Sequence, residues 1–397
     1  VQVLTKSFWI AGFECSCHRR SDGRRLDLIA ATRHDVHAGA DYARLRRTGI
    51  RTARDGVRWH LVERSAGRYD MSSLLPMVRA ARDSGVQVIW DLCHYGWPDG
   101  LDIFTPEWVD RFTEYARAVA RVIAAETDEP AVYCPINEIS FWSWAGGDVA
   151  YLNPFATGRG FELKTQLARA TLSAIEAIWS VDGRARILQA EPAIHVVGDP
   201  AVPGSGLAAE GNRLAQFQAW DMLAGRLWPQ LGGDERFLDV LGVNFYPTNE
   251  WVLDGPMVTR GDPRYRALRE ILQEVWQRYG RPILISETGD QGSGRASWLR
   301  YVAEEARAAR RAGVPVEGIC LYPILDYPGW DDDRHCETGL WGYAGHSGDR
   351  EACLDLAREL ARQDELMRQE TPPNVNRALD DLEDGSQDDE ETEHAAF

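Results

Sequence analysis

Two short strings carry the chemistry legible in this 397-residue chain: Cys134-Pro135-Ile136-Asn137-Glu138 and Ile283-Leu284-Ile285-Ser286-Glu287-Thr288-Gly289. Each sets one glutamate at the end of an apolar run that reads as a buried strand. A carboxylate there is costly unless it is paired or used. Two such carboxyls facing each other across a barrel mouth suit a double displacement at an acetal carbon. One attacks; the other gives a proton to the departing oxygen and later takes one from the incoming nucleophile. The acid must keep its proton near neutral pH, which a neighbouring carboxylate favours. The nucleophile must stay ionised, which a nearby arginine and a tyrosine hydroxyl favour. Arg54 and Tyr246 are the candidates for that pair.

Further polar and aromatic residues fall at other strand ends. The second strand ends in Arg54-Asp55, and the third runs into Asp91-Leu92-Cys93-His94-Tyr95-Gly96-Trp97-Pro98. The sixth gives Asn244-Phe245-Tyr246-Pro247, and the eighth gives Tyr322, Asp326 and Trp330. Of the fifteen tryptophans, Trp97, Trp142, Trp144 and Trp330 fall in loops and are candidates to stack on sugar rings, while Trp9, Trp179 and Trp228 read as core. Asp331-Asp332-Asp333 reads as a solvated loop, and Glu191 and His195 are given no role.

These residues need a scaffold that brings distant strand ends together. Eight apolar runs read as strands: 9–14, 50–54, 86–92, 131–136, 185–189, 240–244, 282–286 and 318–323. Segments of helical period follow them: 39–47, 72–84, 107–127, 163–181, 212–231, 263–279, 297–312 and 351–368. Eight strand–helix units predict a single (β/α)8 TIM barrel, an α/β fold, over residues 1–370. A doubly wound open sheet is the other candidate, but Gly12-Phe13-Glu14 follows the first strand where a Gly-rich phosphate loop belongs. Connections 141–162 and 326–350 are long and rise over the C-terminal face. Residues 371–397 are acidic and apolar-poor and are predicted to be a disordered tail.

Formal charge is −17, and the tail contributes nine acidic residues and one arginine, leaving about −9 on the rest. That negative balance argues against nucleic acid or an anionic membrane as partner. No stretch approaches the ~18 apolar residues of a membrane span. Residues 1–13 lack the apolar core of a secretory signal, so the expectation is a cytoplasmic protein. The seven cysteines are an odd number without C-x-x-C spacing, and Cys93, Cys134 and Cys320 lie in apolar strands. They read as core packing rather than disulfides or a zinc site.

Taken together, these motifs resemble clan A glycoside hydrolases, and most of all the family 1 β-glycosidases. The resemblance rests on Asn137-Glu138 after strand four and Ser286-Glu287-Thr288-Gly289 after strand seven. It extends to Arg54 with Trp59, His94 before Trp97-Pro98, Asn244-Phe245-Tyr246, and the run from Tyr322 to Trp330. It implies Glu138 as acid/base, Glu287 as nucleophile, and Asn137 on a sugar 2-hydroxyl. Substrate contacts are implied for Arg54, His94, Tyr246, Tyr322 and Trp330, with Trp142 a further stacking candidate; the family's first-loop glutamine has no clear counterpart, and Glu14 or His18 is the candidate to serve in its place. The chain departs from the pattern at Ile139, Tyr322 and Gly329, where the family has proline, tryptophan and a glycone-gripping carboxylate. A glycine at 329 implies a pocket that is wider there.

The expected function is a retaining β-glycosidase, hydrolytic or transglycosylating, acting on a saccharide or glycoside without metal or cofactor. Two alternatives are a carbohydrate-binding barrel impaired in catalysis and a metal-dependent barrel hydrolase. Oligomeric state is not legible in the sequence.

Overall fold

The computed structural model describes residues 4–370; the acidic segment 371–397 lies outside the described residues. Eight parallel strands close a barrel: β1 (Trp9–Gly12), β2 (Thr52–Gly56), β3 (Gln87–Cys93), β4 (Val132–Ile136), β5 (Arg186–Pro192), β6 (Val240–Asn244), β7 (Ile283–Thr288) and β8 (Val316–Leu321). Each pairs with its neighbours in sequence, and β8 closes on β1. The expected (β/α)8 architecture is therefore present as one barrel. Among the described residues, no helix is long and apolar enough to cross a membrane.

Side chains alternate along each strand, so two cores form. Ile10, Ile89, Val132, Cys134, Leu188, Val240, Leu284 and Cys320 fill the barrel interior. Their neighbours, such as Trp9, Trp90 and Ile285, pack outward against the helices. The best-matched helices to the sequence pattern are Pro106–Glu126, Gly160–Trp179 and Gly294–Arg311. Alanine- and leucine-rich faces with 3.6-residue spacing lay them on the sheet.

One predicted helix breaks up. Residues 212–231 hold the end of helix Ser205–Leu214, a tight 3₁₀ turn, helix Gln218–Leu223 and another 3₁₀ turn at Pro229–Leu231. Gly225 takes φ +76°, where Cβ-bearing residues are strained, and its N–H donates to Met222 O at 3.2 Å in a turn that ends the helix. Connection 141–162 carries a short helix, Ile139–Trp142, then a π-turn over Ser143–Asp148. Connection 326–350 carries a small antiparallel ribbon between Tyr327–Pro328 and His335–Cys336.

Candidate active site

Strand β7 would aim Ser286 inward and Glu287 outward if it alternated strictly. Its register against β6 slips by one residue between Ile285 and Glu287. Such a bulge re-aims a side chain, and both Ser286 and Glu287 end up over the barrel interior. Ser286 Oγ donates to Asn244 Oδ1 at 2.6 Å. Glu287, 5% exposed, opens onto a cavity of about 310 Å³ at the C-terminal end of the strands.

Glu138 lines the same cavity from the end of β4. It stands on a left-handed backbone, φ 47° and ψ 63°, at the start of helix Ile139–Trp142. A glutamate pays steric strain there, and the fold holds it from both sides. Its N–H donates to Ala190 O at 3.0 Å, and its C=O accepts from Trp142 N at 2.9 Å. Glu191 on β5 supports the next turn by accepting from Ser140 N at 2.9 Å. Burial pushes the Glu191 carboxyl up to about 7.

The two carboxyls are held differently. Glu287 Oε1 accepts from Arg54 Nη1 at 2.7 Å, and its Oε2 accepts from the Tyr246 hydroxyl at 2.9 Å. Glu138 Oε2 accepts from the Tyr95 hydroxyl at 2.8 Å, and its Oε1 from Asn244 Nδ2 at 2.9 Å. One carboxyl thus faces a fixed cation and the other only neutral donors. Burial pushes both up from the ordinary carboxylate range. In Glu287 the Arg54 charge opposes burial, and Glu138 adds to it. Two carboxyls so placed share their protons as a pair, and the arginine draws the first negative charge to Glu287.

Arg54 is fully buried behind the cavity and has its donors engaged. Besides Glu287 it donates from Nε to Asp91 Oδ1 at 2.9 Å, from Nη1 to Ser286 O at 3.1 Å, and from Nη2 to Asn137 Oδ1 at 2.6 Å. It is not a cavity wall, so the expected direct substrate contact is replaced by a role beneath the site. Asn137 is corrected in the same way. It is fully buried, and its Nδ2 faces the Tyr95 hydroxyl at 2.9 Å and His94 Nε2 at 3.2 Å. Both amide hydrogens are occupied, leaving none for a sugar hydroxyl.

His94 lines the cavity, and Asn137 makes its Nε2 an acceptor, so its proton sits on Nδ1, 3.1 Å from Asp91 Oδ2. Burial resists a second proton, while Asp91, Glu14 and Glu287 draw one, and the net pull is upward. Taking that proton at Nε2 would cost the Asn137 bond. Tyr322 also lines the cavity and stacks parallel to His94 at 6.0 Å. Its ring lies where a Cβ on Gly12 would stand, 2.0 Å away, so β1 must end in glycine for Tyr322 to fit.

Trp330, Tyr246 and Glu14 line the cavity as well. Trp142 does not. It is fully buried, its Nε1 donates to Asn153 O at 2.8 Å, and its ring packs on Tyr95, Trp97 and Trp108. Phe141 presents the aromatic face instead, next to Trp330 at 6.5 Å. The wider pocket expected at Gly329 is also corrected. A Cβ there would meet Asp332 Oδ1 at 2.6 Å, so a neighbouring carboxylate already fills the space. Asp326 and His335 bond each other at 2.9 Å outside the cavity wall.

Three residues escaped the sequence reading. Tyr95 and Asn244 hold Glu138, yet each sits in a motif chosen for its neighbour. Cys15 is the third. Its Sγ lies 3.2 Å from His94 Nδ1 and 3.7 Å from Asp91 Oδ2, so it is no mere core filler. Cys15, Asp91 and His94 form the one group among the described residues whose donor atoms converge enough for a metal ion. Burial, then Asp91 and Glu14, push the Cys15 thiol well above its ordinary range. Asp91 is bonded to the Arg54 cation.

No family model matches the chain, and no curated protein matches it. Solved structures do. The fold is similar to a β-glucosidase from Thermotoga maritima in complex with deoxynojirimycin, at TM-score 0.73 and 15% identity over 92% of this chain and 99% of that one. The same enzyme in complex with glucoimidazole gives TM-score 0.74 and 15% identity, over 92% and 100%. The AHE enzyme from Alicyclobacillus herbarius gives 0.75 and 16%, over 91% and 100%. At these identities the likeness is one of fold: a barrel architecture shared with family 1 β-glucosidases.

Proposed function

We propose that the chain is a retaining glycosidase that cleaves β-glycosides by double displacement. The observation that carries this reading is the asymmetric support of two glutamates on one cavity. Glu287 is paired with the Arg54 cation, and Glu138 is held by neutral donors only. Ionised Glu287 attacks the anomeric carbon as the bond to the leaving oxygen breaks, and Glu138 gives that oxygen its proton. Water or an acceptor alcohol then loses a proton to Glu138 and displaces Glu287 from the anomeric carbon. Tyr246 shares its hydroxyl with the attacking carboxylate. The cavity, about 310 Å³, is at the small end of the ~300–1,000 Å³ typical of small-molecule sites. Aromatic faces from Trp330 and Phe141 suit the apolar side of a sugar ring.

A second reading is favoured by the Cys15–Asp91–His94 group: a metal-dependent hydrolase, or a saccharide-binding barrel in which that group replaces turnover. Against a bound cation stands the Arg54 charge bonded to Asp91. The two readings separate in one experiment. Turnover of a panel of aryl β-glycosides is measured with and without a chelator, beside Glu287→Gln and Cys15→Ala. Chelator-resistant activity that Glu287→Gln removes and Cys15→Ala spares supports the glycosidase. Activity lost to chelator and to Cys15→Ala, with Glu287→Gln active, supports the metal.

A further inference from the structure

The cavity is lopsided in charge. Glu14, Glu138, Glu287 and Asp290 line it, and no lysine or arginine does. Arg54 lies behind the wall, divided between Asp91 and Glu287. At the rim, Arg334 donates to Gln291 Oε1 and sits beside Asp332 at 3.5 Å. These four carboxyls outnumber the basic groups beside them, Arg54 behind the wall and His94 on it.

Glu14 is the unexplained member. It follows β1, is 7% exposed, and is not used in the chemistry above. Its Oε1 accepts from Ser16 N at 2.9 Å and Ser16 Oγ at 2.6 Å. Those two bonds fix the carboxylate in place. Its Oε2 has no hydrogen-bond partner among the described residues, yet Glu14 borders the cavity. Its charge adds to the upward push on Glu287. Glu14 Oε2 is not among the buried polar atoms that lack a partner, so it is open to the cavity. A ligand donor can meet it there, and a positively charged donor makes the strongest such bond.

We propose that Glu14 selects the sugar: the site takes a glycone bearing a protonated exocyclic amine, which pairs with Glu14 Oε2, and it rejects glycones bearing a carboxylate. This inference rests on the glycosidase reading and names its substrate class.

The test is binding, so that it does not depend on turnover. Methyl β-thioglucoside, its amino-deoxy counterparts at positions 2, 3, 4 and 6, and the corresponding thioglucuronide are titrated calorimetrically at pH 7 into wild type and Glu14→Gln. Glu14→Gln retains a carbonyl oxygen for Ser16 and so keeps the local turn. The expected result is one amino isomer binding at least about tenfold more tightly than the parent, with the uronide weakest. Glu14→Gln brings that amino isomer to within about twofold of the parent, and added salt narrows the wild-type preference. Equal binding of amine and hydroxyl forms, or an equal loss for all ligands in Glu14→Gln, overturns the inference. If the neutral aryl glycosides are nevertheless turned over through Glu287, the glycosidase reading stands without it. Binding by none of the ligands overturns the inference, and the glycosidase reading is then decided by turnover of the aryl β-glycoside panel.

Discussion

The Tyr95 hydroxyl donates to Glu138 Oε2 at 2.8 Å, and both residues stand on left-handed backbone, at φ 69° and 47°. Two strained positions at neighbouring strand ends, 43 residues apart in the chain, thus meet in one hydrogen bond. Such strain persists where the surroundings over-determine it. Here the bond extends into the site: Asn137 Nδ2 donates to the same hydroxyl, and Asn137 Oδ1 accepts from Arg54. A continuous path of hydrogen bonds links the proposed acid to the cation that holds the proposed nucleophile.

Tyr95→Phe removes a donor that favours ionised Glu138, since that bond pulls its carboxyl down against burial. The Glu138 carboxyl should therefore rise, and the alkaline limb of kcat/KM should move to higher pH. An alkaline limb that stays in place, or moves to lower pH, would show that Tyr95 does not govern the acid.

Glu138→Ala should spare activated aryl glycosides and hurt those with poor leaving groups. A general acid matters most when the departing oxygen needs a proton, typically by ~10²–10⁴-fold. A leaving-group series measured on the variant checks this. Equal losses across the series would place Glu138 in some other role.

Arg54→Met leaves Asp91 and Glu287 buried without their shared cation. Removing one partner of a buried ion pair typically costs about 3–5 kcal/mol, so the urea midpoint should fall steeply. Arg54→Lys should recover only part of it, because one ammonium cannot replace a fork that reaches Asp91, Glu287 and Asn137. A midpoint unchanged in Arg54→Met would contradict the pairing.

Away from the cavity, His34 sits between Asp41 and Asp55, 2.8 Å from each, with Phe13 stacked on its ring. Burial opposes a charge there, but the two aspartates outweigh it and hold His34 up to about 9. The folded-state value lies above the ~6.5 of an unfolded histidine. The stabilisation is therefore complete below about pH 6.5 and is lost as the pH rises through about 9. Wild-type Tm should fall between pH 6.5 and 9.5, and His34→Gln should start lower and lose that slope. Parallel curves would refute the linkage.

Much of this architecture is legible in the chain because strand and helix periods differ. Apolar runs mark all eight strands, and the glutamates end two of them. What escapes the sequence depends on contacts across the barrel. Trp142 looks like a loop residue beside the acid, yet Trp97, Trp108 and the carbonyl of Asn153 bury it. Gly329 looks like a gap, and only the folded loop shows Asp332 filling it. Asn137 reads as a sugar contact because its neighbour is the acid, but His94 and Tyr95 claim its amide. The slip in β7 that turns Glu287 inward has no mark in the local pattern.

The central claim is that Glu287 attacks the anomeric carbon. Glu287→Gly tests it most directly, with product configuration read by NMR after azide is added to an aryl β-glycoside the wild type cleaves. The account predicts that the folded variant is inactive alone and that azide restores turnover, giving a glycosyl azide of inverted configuration. Near-normal hydrolysis by Glu287→Gly without azide would contradict it.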